Sequence, residues 1–171
     1  LPGAGSDAMT RSGKLVFTTD RDRRSLHDPL LRLGEVTLPD NTRTAVIVFA
    51  RVKDPAPGIK WAVAAVDDSP GHFPAGSMAT VNTSPVPVAL KLENKKHLSQ
   101  PGETSVIVDP MKDQQAKALE YRFLYQQDGD WKISGVGLWP RKPNARDLAV
   151  YHWDARRSCF IVRFVRDPVA P

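Results

Sequence analysis

The sequence predicts an all-β protein, a single immunoglobulin-like β-sandwich of about nine to eleven strands with at most one or two short helical turns. Two observations lead to this prediction. Short apolar runs recur along the 171 residues and are separated by Pro, Gly, Asn and Asp, which is typical of strands joined by tight turns. Residues 119–125 also alternate apolar and polar side chains, the two-residue period of a strand with one buried face.

The best-defined element is a hairpin around Asp128 and Gly129, which follows the alternating run and precedes a second strand near Trp131. A two-residue loop would place Tyr125 opposite Lys132 and would mix apolar with polar positions. A three-residue loop with Gly129 in the left-handed conformation instead pairs Tyr125 with Trp131 on the buried face. We therefore predict the three-residue loop.

The same register places Phe123 opposite Ile133 on the buried face. After Ile133 the apolar residues move from odd to even positions, at Val136 and Leu138. A β-bulge is the usual way for a strand to change phase by one residue, and Gly is a frequent bulge residue. We therefore predict a β-bulge near Gly135.

Nine further strands are predicted from the apolar runs over residues 14–19, 34–38, 44–52, 61–66, 77–82, 86–92, 104–108, 148–153 and 158–165. Residues 45–50 and 159–162 are apolar at both odd and even positions, which predicts central strands covered on both faces. Pro87 lacks a backbone donor, so we expect its strand to lie at a sheet edge.

Two stretches do not fit the strand pattern. Residues 26–33 carry four Leu around Pro29 and fit either one helical turn or a loop packed against the sandwich. Residues 110–117 are the only segment with helical composition and predict about two turns. The expected helical content is therefore small.

Length and composition indicate one domain. A chain of 171 residues is long enough to bury a core without disulfides, and the single Cys159 permits no internal disulfide. No apolar run approaches the roughly 20 residues of a membrane span. We assign residues 1–13, which carry Gly, Ser and Ala, to a flexible leader and residues 14–171 to a single β-sandwich domain. The leader indicates that either a signal peptide or another upstream segment has been removed, and we favour the signal peptide, so we expect a secreted or periplasmic location.

A passage near the middle of the chain carries a resemblance. Its residues follow the pattern Asn82-x-Ser84-x-x-Pro87-Val88, then Leu98-x-x-Pro101-Gly102-Glu103. This pattern resembles uncharacterised secreted bacterial β-sandwich proteins. The resemblance spans residues 82–103 and implies a sandwich fold and export from a bacterial cell. No catalytic residues come with it.

One loop is a candidate site. The breaker-rich residues 67–76 form the longest irregular stretch, and loops carry function more often than strands do. Asp67, Asp68 and His72 on this loop are candidate binding residues, although two turn carboxylates and an exposed imidazole are the simpler interpretation. The four His of the chain show no metal-binding spacing, so we predict no metal site and no cofactor. We name no catalytic residue.

Trp139 is the candidate for an exposed ligand platform. The other three tryptophans lie within predicted strands and are assigned to the core. Trp139 instead ends a strand beside Arg141 and Lys142, where a ring would be half exposed and flanked by cations. The alternative is a ring that closes the end of the core. Trp139, Arg141 and Lys142 are therefore the second set of candidate binding residues.

The formal net charge of +5 raises the question of a polyanionic partner. Residues 140–171 carry seven basic and three acidic side chains. In a meander, the loop with Arg141 and Arg146 and the turn with Arg156 and Arg157 lie at opposite ends of the sheet. We therefore predict two small patches, and nucleic acid is not an expected partner because few phosphates would be neutralised together.

These observations favour a non-catalytic secreted or periplasmic binding or assembly module with a protein or glycan partner. The absence of a nucleophile elbow or a phosphate-binding glycine loop from the sequence makes an enzyme the less favoured class. The alternative is a carbohydrate- or polyanion-active enzyme with its site on the loop over residues 67–76.

Overall fold

A computed structural model describes residues 13–52, 60–111, 117–140, 142–154, 157 and 159–168. Twelve strands and one 3₁₀ helix (Arg23–His27) form the regular structure of these residues. The strands are β1 (Lys14–Thr18), β2 (Arg32–Thr37), β3 (Ala45–Arg51), β4 (Trp61–Asp67), β5 (Met78–Asn82), β6 (Val88–Leu92), β7 (Lys95–Ser99), β8 (Thr104–Ile107), β9 (Ala118–Gln127), β10 (Asp130–Pro140), β11 (Ala145–Asp154) and β12 (Cys159–Pro168). The all-β prediction is confirmed, with one strand more than the expected range.

A four-stranded sheet in the order β12-β11-β5-β8 forms the middle layer of the molecule. β11 is antiparallel to β12 and parallel to β5. Consecutive side chains of β11 enter two different cores: Leu148 and Val150 belong to one buried cluster, and Ala149 and Tyr151 to the other. Because side chains alternate between the faces of a strand, the middle sheet is covered on both faces.

The first core lies between the middle sheet and a second sheet in the order β10-β9-β6-β7. Phe123 meets Tyr151 edge-on with 5.2 Å between ring centroids, a favourable aromatic geometry. The Tyr151 hydroxyl donates a hydrogen bond to the Ala89 carbonyl at 2.9 Å, and burial raises the pKa of Tyr151, so this donor stays protonated. The buried members of this core are Met78, Val88, Leu90, Leu92, Ile107, Met111, Leu119, Phe123, Trp139, Ala149 and Tyr151.

A third layer covers the opposite face of the middle sheet. The antiparallel pair β3 and β4 packs there, β3 against β11 and β4 against β5 and β8. β2, paired with β1, lies next to β4. A Cβ on Gly34 of β2 would sit 2.9 Å from the Trp61 carbonyl oxygen, so this close approach requires glycine. The two facing four-stranded sheets form a sandwich. The third layer is an addition to the predicted fold. The immunoglobulin-like architecture stays a prediction.

The hairpin of β9 and β10 has a two-residue turn, so the predicted register is wrong. Asp128 and Gly129 both have positive φ angles, 54° and 87°, which is the combination of a type I′ turn. Tyr125 consequently pairs with Lys132 and not with Trp131. The twist of a type I′ turn matches that of the flanking strands, and this local preference sets the register.

The predicted bulge is present between Ile133 and Gly135, but the apolar side chains of β10 face outward. Ile133, Val136 and Leu138 are 58%, 62% and 69% exposed. Before the bulge the odd-numbered side chains face outward, and after it the even-numbered side chains do. The apolar residues before and after the bulge therefore share the outer face. Trp131 is also on this face, with the Lys96 ammonium 3.9 Å from its ring centroid.

Three predicted strand positions are wrong. β3 and β12 were expected to be central, yet among the described residues each pairs with a single strand. The apolar residues at both odd and even positions of β12 have another cause, since Val162 packs against the first core while Ile161, on the other face, is only half-buried. β6 was expected at an edge but lies between β9 and β7. Pro87 precedes this strand, so its missing donor costs no ladder hydrogen bond there.

Some predictions fall on residues outside the described ranges. These are most of the leader (residues 1–12) and most of the helical segment (residues 112–116). Among the residues that are described, no helix combines the length and the apolar composition that crossing a membrane requires.

The type I′ turn predicts that two positions are sensitive to β-branched residues. Gly129→Val should lower the free energy of unfolding by about 1–2 kcal/mol and Asp128→Val by about 1 kcal/mol, because both residues are left-handed. A Cβ at Gly129 meets nothing within 4 Å, so only the backbone conformation is being tested. Gly71→Val is the control, since that position is equally open and has no positive φ. Urea unfolding of the three variants measures the effect, and an unchanged Asp128→Val would contradict the two-residue turn.

Candidate functional site

The loop over residues 67–76 brings Asp67, Ser69 and His72 together. The Ser69 hydroxyl lies 3.0 Å and the Asp67 carboxylate 3.1 Å from the same ring nitrogen of His72, Nδ1. In a Ser-His-Asp triad the carboxylate and the hydroxyl use the two different ring nitrogens, so that the ring can pass a proton between them. The arrangement of these three residues is therefore not that of a nucleophilic triad.

Asp67 stabilises the turn that follows β4. Its carboxylate accepts a hydrogen bond from the Ser69 backbone N–H at 2.9 Å, the pattern of an Asx turn. This bond, then the Ser69 side chain and the His72 charge, lower the pKa of Asp67. His72 remains exposed over 72% of its side chain. These contacts agree with the simpler interpretation, a turn carboxylate beside an exposed imidazole.

Asp68 takes part in a different contact, with Arg146 at the start of β11. The Arg146 guanidinium lies 2.8 Å from the Asp68 carboxylate and also pairs with Asp167 of β12. It donates to the Phe73 carbonyl at 3.1 Å and sits 4.8 Å from the centre of the Phe73 ring. Arg146 is only 11% exposed and Phe73 is fully buried. These contacts fasten the loop to the middle sheet and leave Arg146 unavailable to an external anion.

Trp139 is buried, so the prediction of a half-exposed ring is wrong. β10 continues to Pro140, and Trp139 is still paired with Leu119 on the inward face, with 4% of its surface exposed. Its indole N–H donates to the Asp147 carboxylate at 2.6 Å. The alternative interpretation, a ring that closes the end of the core, describes its environment. Lys142 is exposed, and Arg141 lies outside the described residues.

Asp147 is a buried carboxylate that joins three strands. It is 2% exposed, and besides Trp139 of β10 it accepts two hydrogen bonds from Arg166 of β12, at 2.8 and 3.1 Å. The hydrogen bond with Asp147 raises the pKa of Arg166. These hydrogen bonds tie β10 and β12 to β11, which gives Asp147 a structural role.

One concave site is a groove of about 1020 Å³ between the third layer and the middle sheet. We call it the β3 groove. Its lining residues are Val48, Phe49, Ala50, Arg51, Val52, Lys60, Trp61, Val150, His152, Trp153, Asp154, Arg163 and Val165. Most of these side chains are apolar or aromatic and a few are charged, as is common in binding sites.

The groove exists because the described part of the third layer does not extend over β12. β3 lies over β11, and no described strand of the third layer lies over β12. Arg163 and Val165 of β12 pair with Val150 and Leu148 of β11 and share their face. They therefore form a ledge beside the free edge of β3, and Val165 is 53% exposed there.

Basic side chains outnumber acidic ones among the described lining residues of the β3 groove. Arg51, Lys60 and Arg163 contribute three cations, and Asp154 contributes one carboxylate. Arg51 lies 5.5 Å from the centre of the Trp61 ring, which leaves its charge accessible because a ring face does not neutralise it. Asp154 is already 3.9 Å from the Arg157 guanidinium. The described lining therefore carries more positive than negative charge beside aromatic surface.

Sequence reasoning did not identify this groove. Trp61 was assigned to the core as a strand residue, and the apolar positions on both faces of β3 were interpreted as complete burial. One feature of the sequence does indicate an open face. Arg51 follows Phe49 on the same face of β3, and a charged side chain there does not fit a strand that is covered on both faces.

The two predicted basic groups are separated where the structure describes them. Arg146 lies in the second position of β11, and Arg157 follows the end of that ten-residue strand. At about 3.3 Å per residue, the two ends of such a strand are roughly 30 Å apart. Within the described ranges, no group of three or more His, Cys, Asp or Glu is placed to hold a metal ion.

The chain shows no relationship to known proteins in two comparisons. No protein-family model matches it, and no curated protein matches it. Any functional conclusion therefore depends on the contacts, burial and charge described above.

The buried Asp147 contacts predict a large effect on stability. Asp147→Ala should lower the free energy of unfolding by about 3 kcal/mol, because it leaves the buried Trp139 indole N–H without an acceptor. Glu120→Ala is the control: it removes an exposed carboxylate that pairs with Arg122 at 2.8 Å, and the expected loss is below about 1 kcal/mol. Urea unfolding of both variants measures the difference. Equal losses would show that Asp147 is not the structural link described here.

Proposed function

We propose that this chain is a non-catalytic binding or assembly module and that the β3 groove is its ligand site. The observation that carries the proposal is the combination of Arg51, Lys60 and Arg163 with exposed aromatic surface along one open groove. Such a lining suits an elongated ligand with acidic groups, from a protein or a glycan partner. A secreted or periplasmic location stays a prediction from the sequence.

The composition of the groove supports binding over catalysis. Its described lining contains one carboxylate, Asp154, and no Ser, Thr or Cys. Glycoside hydrolysis commonly uses a pair of carboxylates, and nucleophilic catalysis of acyl transfer uses a hydroxyl or thiol beside a base. The competing hypothesis, an enzyme with its site on the loop over residues 67–76, has less support because Asp67, Ser69 and His72 are arranged as a turn.

The proposal predicts that charge reversal within the groove weakens ligand binding. Two probes represent the two partner classes: a hexamer of galacturonic acid, and a capped ten-residue peptide of alternating Val and Glu. At least one should bind the wild-type protein at about 0.15 M salt, and Arg163→Glu should weaken it at least tenfold, about 1.4 kcal/mol. Isothermal titration calorimetry measures both affinities.

Lys142→Glu is the matched control, because it changes the net charge equally at an exposed position that does not line the groove. Its binding should stay within about twofold of the wild type, since a remote exposed charge is screened. The proposal is wrong if neither probe binds at about 1 mM, or if Lys142→Glu weakens binding as much as Arg163→Glu does.

A further inference from the structure

We propose that the occupant of the β3 groove is an extended acidic peptide segment of a partner protein, which adds as a strand to the free edge of β3. This inference rests on the groove being the ligand site and goes further by naming the ligand class and the way it binds. Addition of a peptide strand to a sheet edge is a recurrent recognition mode, in which backbone hydrogen bonds supply affinity and side-chain pockets supply specificity.

The backbone of β3 has unused hydrogen-bonding groups on the groove side. The Val52 N–H donates to the Lys60 carbonyl, and the Asp68 N–H donates to the Thr44 carbonyl. In an antiparallel ladder the hydrogen-bonded pairs recur every second residue, so the even-numbered residues of β3 bond to β4. The N–H and C=O groups of the odd-numbered residues point the other way, and among the described residues they meet no further strand. These residues are Ala45, Ile47, Phe49 and Arg51.

This edge also lacks the features that normally keep strands from associating. β3 pairs with β4 over all seven of its residues without a bulge, contains no Pro, and has a single charge, Arg51, at its end. Natural proteins protect exposed edges with bulges, prolines, inward-pointing charges or short strands. Within the described part of the chain, β3 therefore offers the kind of edge that a site for an added strand requires.

The ledge explains where the added strand would lie and which side chains it needs. Adjacent strands are about 4.8 Å apart, so a strand next to β3 would lie over β12, as β3 lies over β11. Its inward side chains would meet Val165, Val150 and Arg163. An inward face of acidic side chains would pair with Arg163, whereas an inward face of apolar side chains would cover the exposed Val165.

Charge decides between a partner protein and a second copy of this chain. Two copies joined through their β3 edges would bring together two sets of Arg51, Lys60 and Arg163, and like charges at an interface oppose association. An acidic peptide removes this repulsion. Its acidic groups also fit the formal net charge of +5.

The test separates the backbone contribution from the side-chain contribution. Phe49→Pro removes the outward N–H of one edge residue, and Phe49→Ala removes the same ring but keeps that N–H. The Val/Glu peptide should therefore bind Phe49→Pro at least about tenfold more weakly than Phe49→Ala. Either the Val or the Glu side chains of this peptide can face the ledge, because shifting the peptide along β3 by one residue exchanges its two faces. Equal affinities for two folded variants would overturn strand addition.

A second measurement needs no variant of the protein. A peptide of the same sequence with every peptide nitrogen methylated keeps the side chains and charges but cannot donate backbone hydrogen bonds. The wild-type protein should bind it at least about tenfold more weakly than the unmodified peptide. Equal binding of the two peptides, binding of the galacturonate hexamer alone, or dimerisation of the unliganded protein at micromolar concentration would each contradict the inference. If Arg163→Glu still weakens the bound probe in those cases, the groove remains the ligand site and only the strand addition is wrong.

Discussion

The constraint on which the rest of the structure depends is that the middle sheet is apolar on both faces. β5 and β11 place side chains alternately into two cores, Ala79 and Val81 into one, Met78 into the other. Apolar surface left in water would cost about 25 cal/mol per Å², so each face needs a covering layer. The sheet of β6, β7, β9 and β10 covers one face, and the pair β3 and β4 covers the other. Among the described residues the second cover ends at β3, so β12 remains open on that side and the groove results.

The residues that resemble secreted bacterial β-sandwich proteins have a structural role in this fold. Asn82 is fully buried at the end of β5, and its side-chain amide donates to the carbonyls of Val86 and Ser99 at 2.9 and 3.1 Å. Its carbonyl oxygen accepts from the backbone N–H and the hydroxyl of Ser84. Gly102 also donates to the Asn82 backbone carbonyl. Asn82 thus holds one loop and β7 to the middle sheet through its side-chain amide and a second loop through its backbone carbonyl, which is a physical reason for Asn82, Ser84 and Gly102 within this pattern. The relationship itself stays a prediction.

Local signals in the sequence predicted the fold class and most strand positions, because alternation and turn residues act within a few positions. The bulge near Gly135 was found in this way. The side of β10 that faces the core was not predicted correctly. The preference of Asp128-Gly129 for a type I′ turn outweighed the burial of Trp131 and Ile133. The position of β3 within its sheet could not be predicted either, since an edge strand packed on a core and a central strand can have the same composition. Of the predicted site residues, Asp67 and Asp68 stabilise a loop and Trp139 closes the core. The groove could not be predicted from local patterns, because it is formed where β3, β4, β11 and β12 come together in the folded chain.

The most direct measurement is residue-resolved amide hydrogen exchange of β3 in the unliganded protein, followed by NMR. If the third layer ends at β3, the amides of Val46, Val48 and Ala50, which bond to β4, should be protected, while those of Ile47, Phe49 and Arg51 should exchange rapidly. This alternation would identify a free strand edge beside the groove. Equal protection of all six amides would mean that another segment already pairs with β3, and it would contradict both the open groove and its proposed function.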